Sequence, residues 1–289
     1  LVGLGRARCA APAPCRSRPA ARLLPRFLCS HAVVDQPMKP AKGVEAMPVE
    51  STVLVIDGSD APRAALTHRI RKMGYRAMRA KTPEEAVAIV EEHRHRVTAA
   101  LIPPHLAVAD LGAALASLAA RAPQGRLSYV VVGACPGEES LAELRGAGLQ
   151  LALWEPIDDA RLRFQLNRAL AGFGKQEVSR VEMRAPLDIP AHVIQAGRRK
   201  PARVYTLSSG GVYLDTRRPS MRNAGISVEL DLWPSPVCAE GVVVYTNVPG
   251  NLCRANLPHG MGVRFRDVPE VELGRVLRVV AEASLQLTL

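Results

Sequence analysis

Aromatic residues are scarce in this 289-residue chain, at 4% of the total. Its cores must therefore be built mainly from Val, Leu, Ile and Ala, which dominate a hydrophobic fraction of 48%. No run of about 18 uninterrupted apolar residues occurs, so no transmembrane helix is expected. Six cysteines are present, and no pair has the CxxC spacing of a zinc site. Cys9, Cys15 and Cys29 fall near the start; Cys135, Cys238 and Cys253 are far apart. A reduced, cytoplasmic protein with free thiols is the expectation. His259 follows Pro258 with no Cys or His at ligand spacing. No nucleophile–base pair and no paired carboxylates stand out. The chain is thus expected to be no enzyme and to need no metal or cofactor. Trp154 and Trp233 read as ordinary core or rim residues.

Acidic residues are also scarce in one stretch. Residues 1–46 hold eight Lys/Arg against Asp35 and Glu45, a net of +6 in a chain of formal charge +11. They are rich in Ala, Arg and Pro and show no sustained periodicity. Pro25 and Arg26 break the apolar patch Leu23–Cys29, which makes it a poor signal-peptide core. Residues 1–49 read as a disordered basic tail, or as translated upstream sequence with Met38 or Met47 as the true start. In neither case is the basic excess read as a nucleic-acid surface.

The rest of the chain has room for two domains. From Ser51 the pattern changes abruptly. Thr52–Ile56 is a short β-branched run, and Asp60 is placed to cap a helix carrying Leu66, Ile70 and Met73, closed by Gly74. Tyr75–Ala80 reads as a second strand, and Thr82-Pro-Glu-Glu85 starts a helix with a capping box. Strands over Val97–Ile102, Leu127–Val132 and Leu151–Trp154 alternate with helices near 108–121, 138–146 and 158–171. Five strands alternating with five helices imply a parallel sheet covered on both faces.

The order and lengths of residues 50–172 are similar to a response-regulator receiver domain of flavodoxin-like fold. Val53-Leu-Val-Ile-Asp57 resembles that family's first strand, and Trp154-Glu-Pro-Ile157 the segment that reads Lys-Pro-Phe in the family. The resemblance implies a phosphoryl-accepting carboxylate after the third strand, acids for Mg²⁺ after the first, a hydroxyl after the fourth and a Lys after the fifth. Here those positions read Ile102-Pro-Pro104, Gly58, Gly133 and Glu155, and only Asp57 survives. A pseudo-receiver is expected, unable to take a phosphoryl group and left with protein contact or self-association as its work.

Residues 173–179 form a short Gly-containing linker. Beyond it the signals are strand and turn: Pro186–Ile194, a turn over Gly197–Pro201, Ala202–Tyr205, Val212–Asp215, Ile226–Leu232, Val242–Thr246 and Gly262–Phe265. Ile226–Leu232 alternates apolar and polar residues, so one face is buried. Val271–Leu285 carries a helical stripe. A six-stranded antiparallel barrel with a C-terminal helix fits this order.

Within 180–289 stand Arg180-Val-Glu-Met-Arg184, Thr206-Leu-Ser-Ser-Gly-Gly211 and Gly262-Val-Arg-Phe265. Together they resemble the PilZ domain, a bacterial receptor module for cyclic di-GMP. That family carries Arg-x-x-x-Arg before the barrel and Asp/Asn-x-Ser-x-x-Gly on a later strand-to-turn segment. The resemblance implies a ligand site at Arg180, Arg184, Thr206, Ser208 and Gly211. A guanidinium can fork onto phosphate oxygens or onto guanine O6 and N7. Glycines let backbone N–H groups approach the ligand. Thr206 departs from the family's Asp or Asn, and losing one good hydrogen bond costs about 1–3 kcal/mol, or ~10–100-fold in affinity. Arg198, Arg199 and Lys200 read as solvated turn residues. The expected function is a cytoplasmic effector that binds cyclic di-GMP and relays it by protein contact. The alternative is a ligand-independent PilZ/pseudo-receiver interaction module. Motility, attachment and polysaccharide production are the processes the resemblance suggests.

Overall fold

A computed structural model describes residues 51–93, 96–106, 110–122, 127–171, 183–250 and 256–289. The expected linker and Arg180 lie outside the described residues.

The first half alternates β1 (Thr52–Ile56), α1 (Asp60–Lys72), β2 (Arg76–Ala80), α2 (Pro83–Glu92), β3 (Val97–Ile102), α3 (Leu111–Arg121), β4 (Ser128–Gly133), α4 (Glu138–Gly146), β5 (Leu151–Trp154) and α5 (Asp159–Leu170). All strand pairs are parallel, in the order β2-β1-β3-β4-β5. That is the doubly wound flavodoxin-like order of a receiver domain. Val53 and Val55 pack into one apolar cluster and Leu54 and Ile56 into the other. Alternate side chains of a strand covered on both faces must do this, which explains the unbroken apolar run.

Helix starts follow the local chemistry. Thr82 accepts from the Glu85 N–H at 3.3 Å, while Glu85 reaches back to the Lys81 N–H at 2.6 Å. Asp110 and Asp158 cap α3 and α5 in the same manner, at 2.9 and 2.7 Å. The cap position expected for Asp60 belongs instead to Ser59; Asp60 is the first helical residue, where its charge still suits the helix dipole.

The second half contains β6 (Arg184–Gln195), β7 (Arg198–Ser208), β8 (Gly211–Asp215), β9 (Gly225–Leu230), β10 (Val237–Asn247), β11 (Gly260–Asp267) and α6 (Glu270–Leu285). The six strands form a closed antiparallel barrel in the order β10-β11-β8-β7-β6-β9. Ile226, Val228 and Leu230 point inward with Val204, Leu214, Val243 and Val263, and Val276 and Val280 of α6 join the same cluster.

Two expectations are corrected here. The turn placed over 197–201 is only Ala196-Gly197, both at positive φ (48° and 73°), so Gln195 pairs directly with Arg198. Such a two-residue turn matches the right-handed twist of its strands. Arg198, Arg199 and Lys200 are therefore strand residues, and Arg199 is ion-paired to Glu229. Trp233 is neither core nor rim: it is 91% exposed.

The two halves share contacts. Leu287 is buried in the core of the parallel sheet. Residues 287–289 pair antiparallel with β5: Ala152 N–H donates to Leu287 O at 3.2 Å and Leu289 N–H to Gln150 O at 3.2 Å. The buried Gln165 amide adds a bond to Leu287 O at 2.7 Å. On α5, Asn167 Oδ1 accepts from the Tyr75 hydroxyl at 2.9 Å and from Asn256 Nδ2 at 3.1 Å. Arg163 donates to the Asn256 carbonyl at 3.0 Å.

Candidate functional site

The strand ends of the parallel sheet come first, because that is where a receiver works. Asp57 closes β1, and its Oδ1 accepts the Ser59 N–H at 2.7 Å. Arg63, one turn into α1, donates to the Asp57 carbonyl and to the Asp60 carboxylate. Arg63 and Asp60 are thus paired, while the Asp57 carboxylate is held by a backbone N–H. After β3 comes Pro103-Pro104. A Cβ added at Gly133, which sits at φ +152°, would lie 3.0 Å from Pro104 Cδ. Proline therefore crowds the position where the family has a hydroxyl. Glu155 is exposed, its N–H bonded to Gly133 O at 2.9 Å. Among the described residues no group of three or more His, Cys, Asp or Glu is placed to hold a metal ion.

The barrel carries a cavity of about 390 Å³. That volume falls in the range of small-molecule sites, roughly 300–1,000 Å³. Its lining includes Arg184 at the start of β6, Gly210 and Gly211 at the β7–β8 turn, and Arg264 and Phe265 on β11. Tyr213 and Tyr245 supply aromatic wall. Strand register explains why these residues meet. Arg184 pairs with Ser208, Ser208 with Gly211, and Gly211 with Arg264, one row across four neighbouring strands.

Glycine is required along the floor. A Cβ at Gly211 would come within 2.4 Å of the Val263 carbonyl oxygen. One at Gly262 would meet the Tyr245 ring within 2.3 Å, so the ring lies over bare backbone. The tyrosines form a line: Tyr245 and Tyr213 have ring centroids 5.8 Å apart, and Tyr213 meets Tyr205 edge-on at 5.7 Å. Burial pushes the Tyr205 and Tyr213 hydroxyls above the usual tyrosine range; Arg163 and Asn167 of α5 pull Tyr205 back toward it. The Tyr213 hydroxyl donates to Pro258 O at 2.6 Å. Burial likewise raises the Asp215 carboxyl, opposed chiefly by Arg163 and His259.

Of the residues singled out from sequence, Arg184 and Gly211 line this cavity. Thr206 and Ser208 do not. Thr206 is 7% exposed and paired between Pro186 and Tyr213. Ser208 is fully buried, its Oγ donating to Gly211 O at 3.2 Å, which braces the turn from beneath. Arg180 lies outside the described residues. Arg264, Tyr213 and Tyr245 were not singled out from sequence as site residues. For Arg264 the signal is alternation: Met261 and Val263 are buried, so Arg264 between Val263 and Phe265 must face outward.

No family model matches the chain, and no curated protein matches it. Solved structures do. The signal receiver domain of an HD-domain-containing protein from Pseudomonas fluorescens is 19% identical over 48% of this chain and 98% of its own, with a TM-score of 0.39. A chemotaxis protein of Vibrio cholerae is 17% identical over 41% of this chain and 98% of its own, with a TM-score of 0.34. An inhibitor of motility from Bacillus subtilis is 15% identical over 37% of this chain and 51% of its own, with a TM-score of 0.31. At such identities and scores nothing about activity or ligand passes from those proteins to this one.

Proposed function

We propose that the chain is a non-enzymatic signalling adaptor that binds cyclic di-GMP on its barrel and passes the signal on by protein contact. The observation that carries this reading is one cavity in which Arg184 faces a floor of glycines, with aromatic rings as wall. A bis-phosphate, bis-purine ligand suits each part. Phosphate oxygens or a guanine edge take the guanidinium. Ring faces take the purine, and backbone unshielded by side chains lets the ligand come close. The receiver-like half serves as the contact module, because proline, glycine and Glu155 stand where a receiver has its acid, hydroxyl and lysine. Among the described residues no helix is long and apolar enough to cross a membrane, and the adaptor is read as cytoplasmic.

A second reading rests on Thr206 and Ser208. Both are buried and Ser208 is bonded to the Gly211 carbonyl, so the turn beside the cavity lacks the acid-and-hydroxyl edge that the PilZ resemblance implies. In that reading the barrel is a ligand-independent interaction module. Titration calorimetry of the full chain with cyclic di-GMP separates the two. Binding that Arg184→Ala weakens by about 100-fold supports the first reading. Heat-silent titration up to ligand concentrations on the order of 100 μM, well above the usual range for specific ligands, supports the second.

A further inference from the structure

We infer that Arg264 is a second anion-binding arginine of the barrel cavity and holds a phosphate of the ligand across the glycine floor from Arg184. The inference rests on reading that cavity as the cyclic di-GMP site.

Three observations carry it. The first is placement: Arg184 and Arg264 occupy the two ends of a single cross-strand row, with only Ser208 and Gly211 between them. Both arginines line the same cavity. Between them the row carries only the small Ser208 side chain, which is buried, and Gly211, which has no side chain. The second is charge. Three arginines of the barrel half are matched by carboxylates, Arg203 with Asp188 at 2.6 Å, Arg199 with Glu229, and Arg275 with Glu272 at 2.7 Å, while among the described residues others such as Arg198 and Arg266 are not. Among the described residues neither Arg184 nor Arg264 is paired with a carboxylate. Like charges facing one cavity repel, and an anion between them reverses the sign of that interaction. The third is rigidity. Arg264 stands on a strand held on both sides, by Gly211 of β8 and by Val242 of β10. Gly210 O accepts the Phe265 N–H at 2.9 Å, tying the next residue to the turn. An arginine on such a base meets its ligand without a segment having to order.

The row also accounts for the exchange at position 206. An acid there is not needed to complete a site whose far wall supplies a second cation. Phosphate, rather than the guanine edge, is then the group that both arginines hold.

The test is a calorimetric titration of the full chain with cyclic di-GMP, run on wild type and on Arg184→Ala, Arg264→Ala and Arg264→Lys, with melting temperatures as the folding control. Arg264 is exposed, so its variants are expected to fold. Arg264→Ala should weaken binding at least about tenfold, the loss of one charge-assisted contact. Arg264→Lys should stay within about threefold of wild type, because a phosphate accepts a point charge where a bidentate guanine contact does not. If Arg184→Ala abolishes binding while Arg264→Ala stays within twofold of wild type, the inference falls and the function stands. If Lys is as poor as Ala, the phosphate assignment is overturned. If wild type binds nothing, the function and the inference fall together.

Discussion

The two halves of this molecule treat their charges in opposite ways. At the strand ends of the parallel sheet, Arg63 pairs with the Asp60 carboxylate and donates to the Asp57 backbone carbonyl, the Asp57 carboxylate accepts the Ser59 N–H, and proline and glycine occupy positions where a receiver has an acid and a hydroxyl. On the barrel, Arg184 and Arg264 line a cavity with no carboxylate partner among the described residues. A group already paired within the fold gains little from a ligand. A guanidinium without a carboxylate gains a charge-assisted bond. In the proposed function, ligand chemistry belongs to the barrel and contact to the sheet.

Three substitutions would break or sharpen that contrast. The largest effect is expected from Leu287→Ala. This residue belongs to the second half by sequence but fills the core of the first at 1% exposure. Truncation should cost about 2–5 kcal/mol in urea unfolding, with cyclic di-GMP affinity unchanged. A loss confined to ligand binding would show that residues 287–289 serve the cavity rather than the sheet.

Gly211→Ala tests the floor. Its new Cβ would meet the Val263 carbonyl oxygen and force β8 away from β11. Stability should fall by about 1–3 kcal/mol and binding should be lost with it. Wild-type melting together with wild-type affinity would mean that the close approach is not required.

The smallest effect is expected at the join. Asn167→Ala removes the acceptor of the Tyr75 hydroxyl and of Asn256 Nδ2. It should cost about 1–2 kcal/mol. Hydrogen exchange should then rise at the β2 entry and near residue 256 together. A rise on one side alone would show that the halves are not coupled through this residue.

Much of the architecture was legible because its signals are local. Thr82 carries its helix-capping chemistry on its own side chain, and the alternation in Ile226–Leu232 declares a strand with one buried face. The β6–β7 turn was misplaced because Gly197 and Pro201 both signal a turn. Only pairing across the hairpin shows that two residues suffice. Trp233 was misjudged because composition says nothing about whether neighbouring chain will cover a large ring.

The site was legible only in part. Arg184 and Gly211 could be named because they stand in a recognisable spacing. Arg264 could not, since nothing in Gly262-Val-Arg-Phe265 says which side chains stand beside it. Sequence alone determined two patterned halves, a parallel sheet and a barrel, and the loss of the receiver's acidic and hydroxyl groups, because periodicity and residue identity are properties of the chain. Tertiary structure decided that residues 184, 208, 211 and 264 form one row. It also decided that Thr206 and Ser208 are buried beside the cavity, and that residues 287–289 complete a core begun at Val53. Each of these depends on strand register, which forms between segments distant in sequence and leaves no mark on either segment by itself.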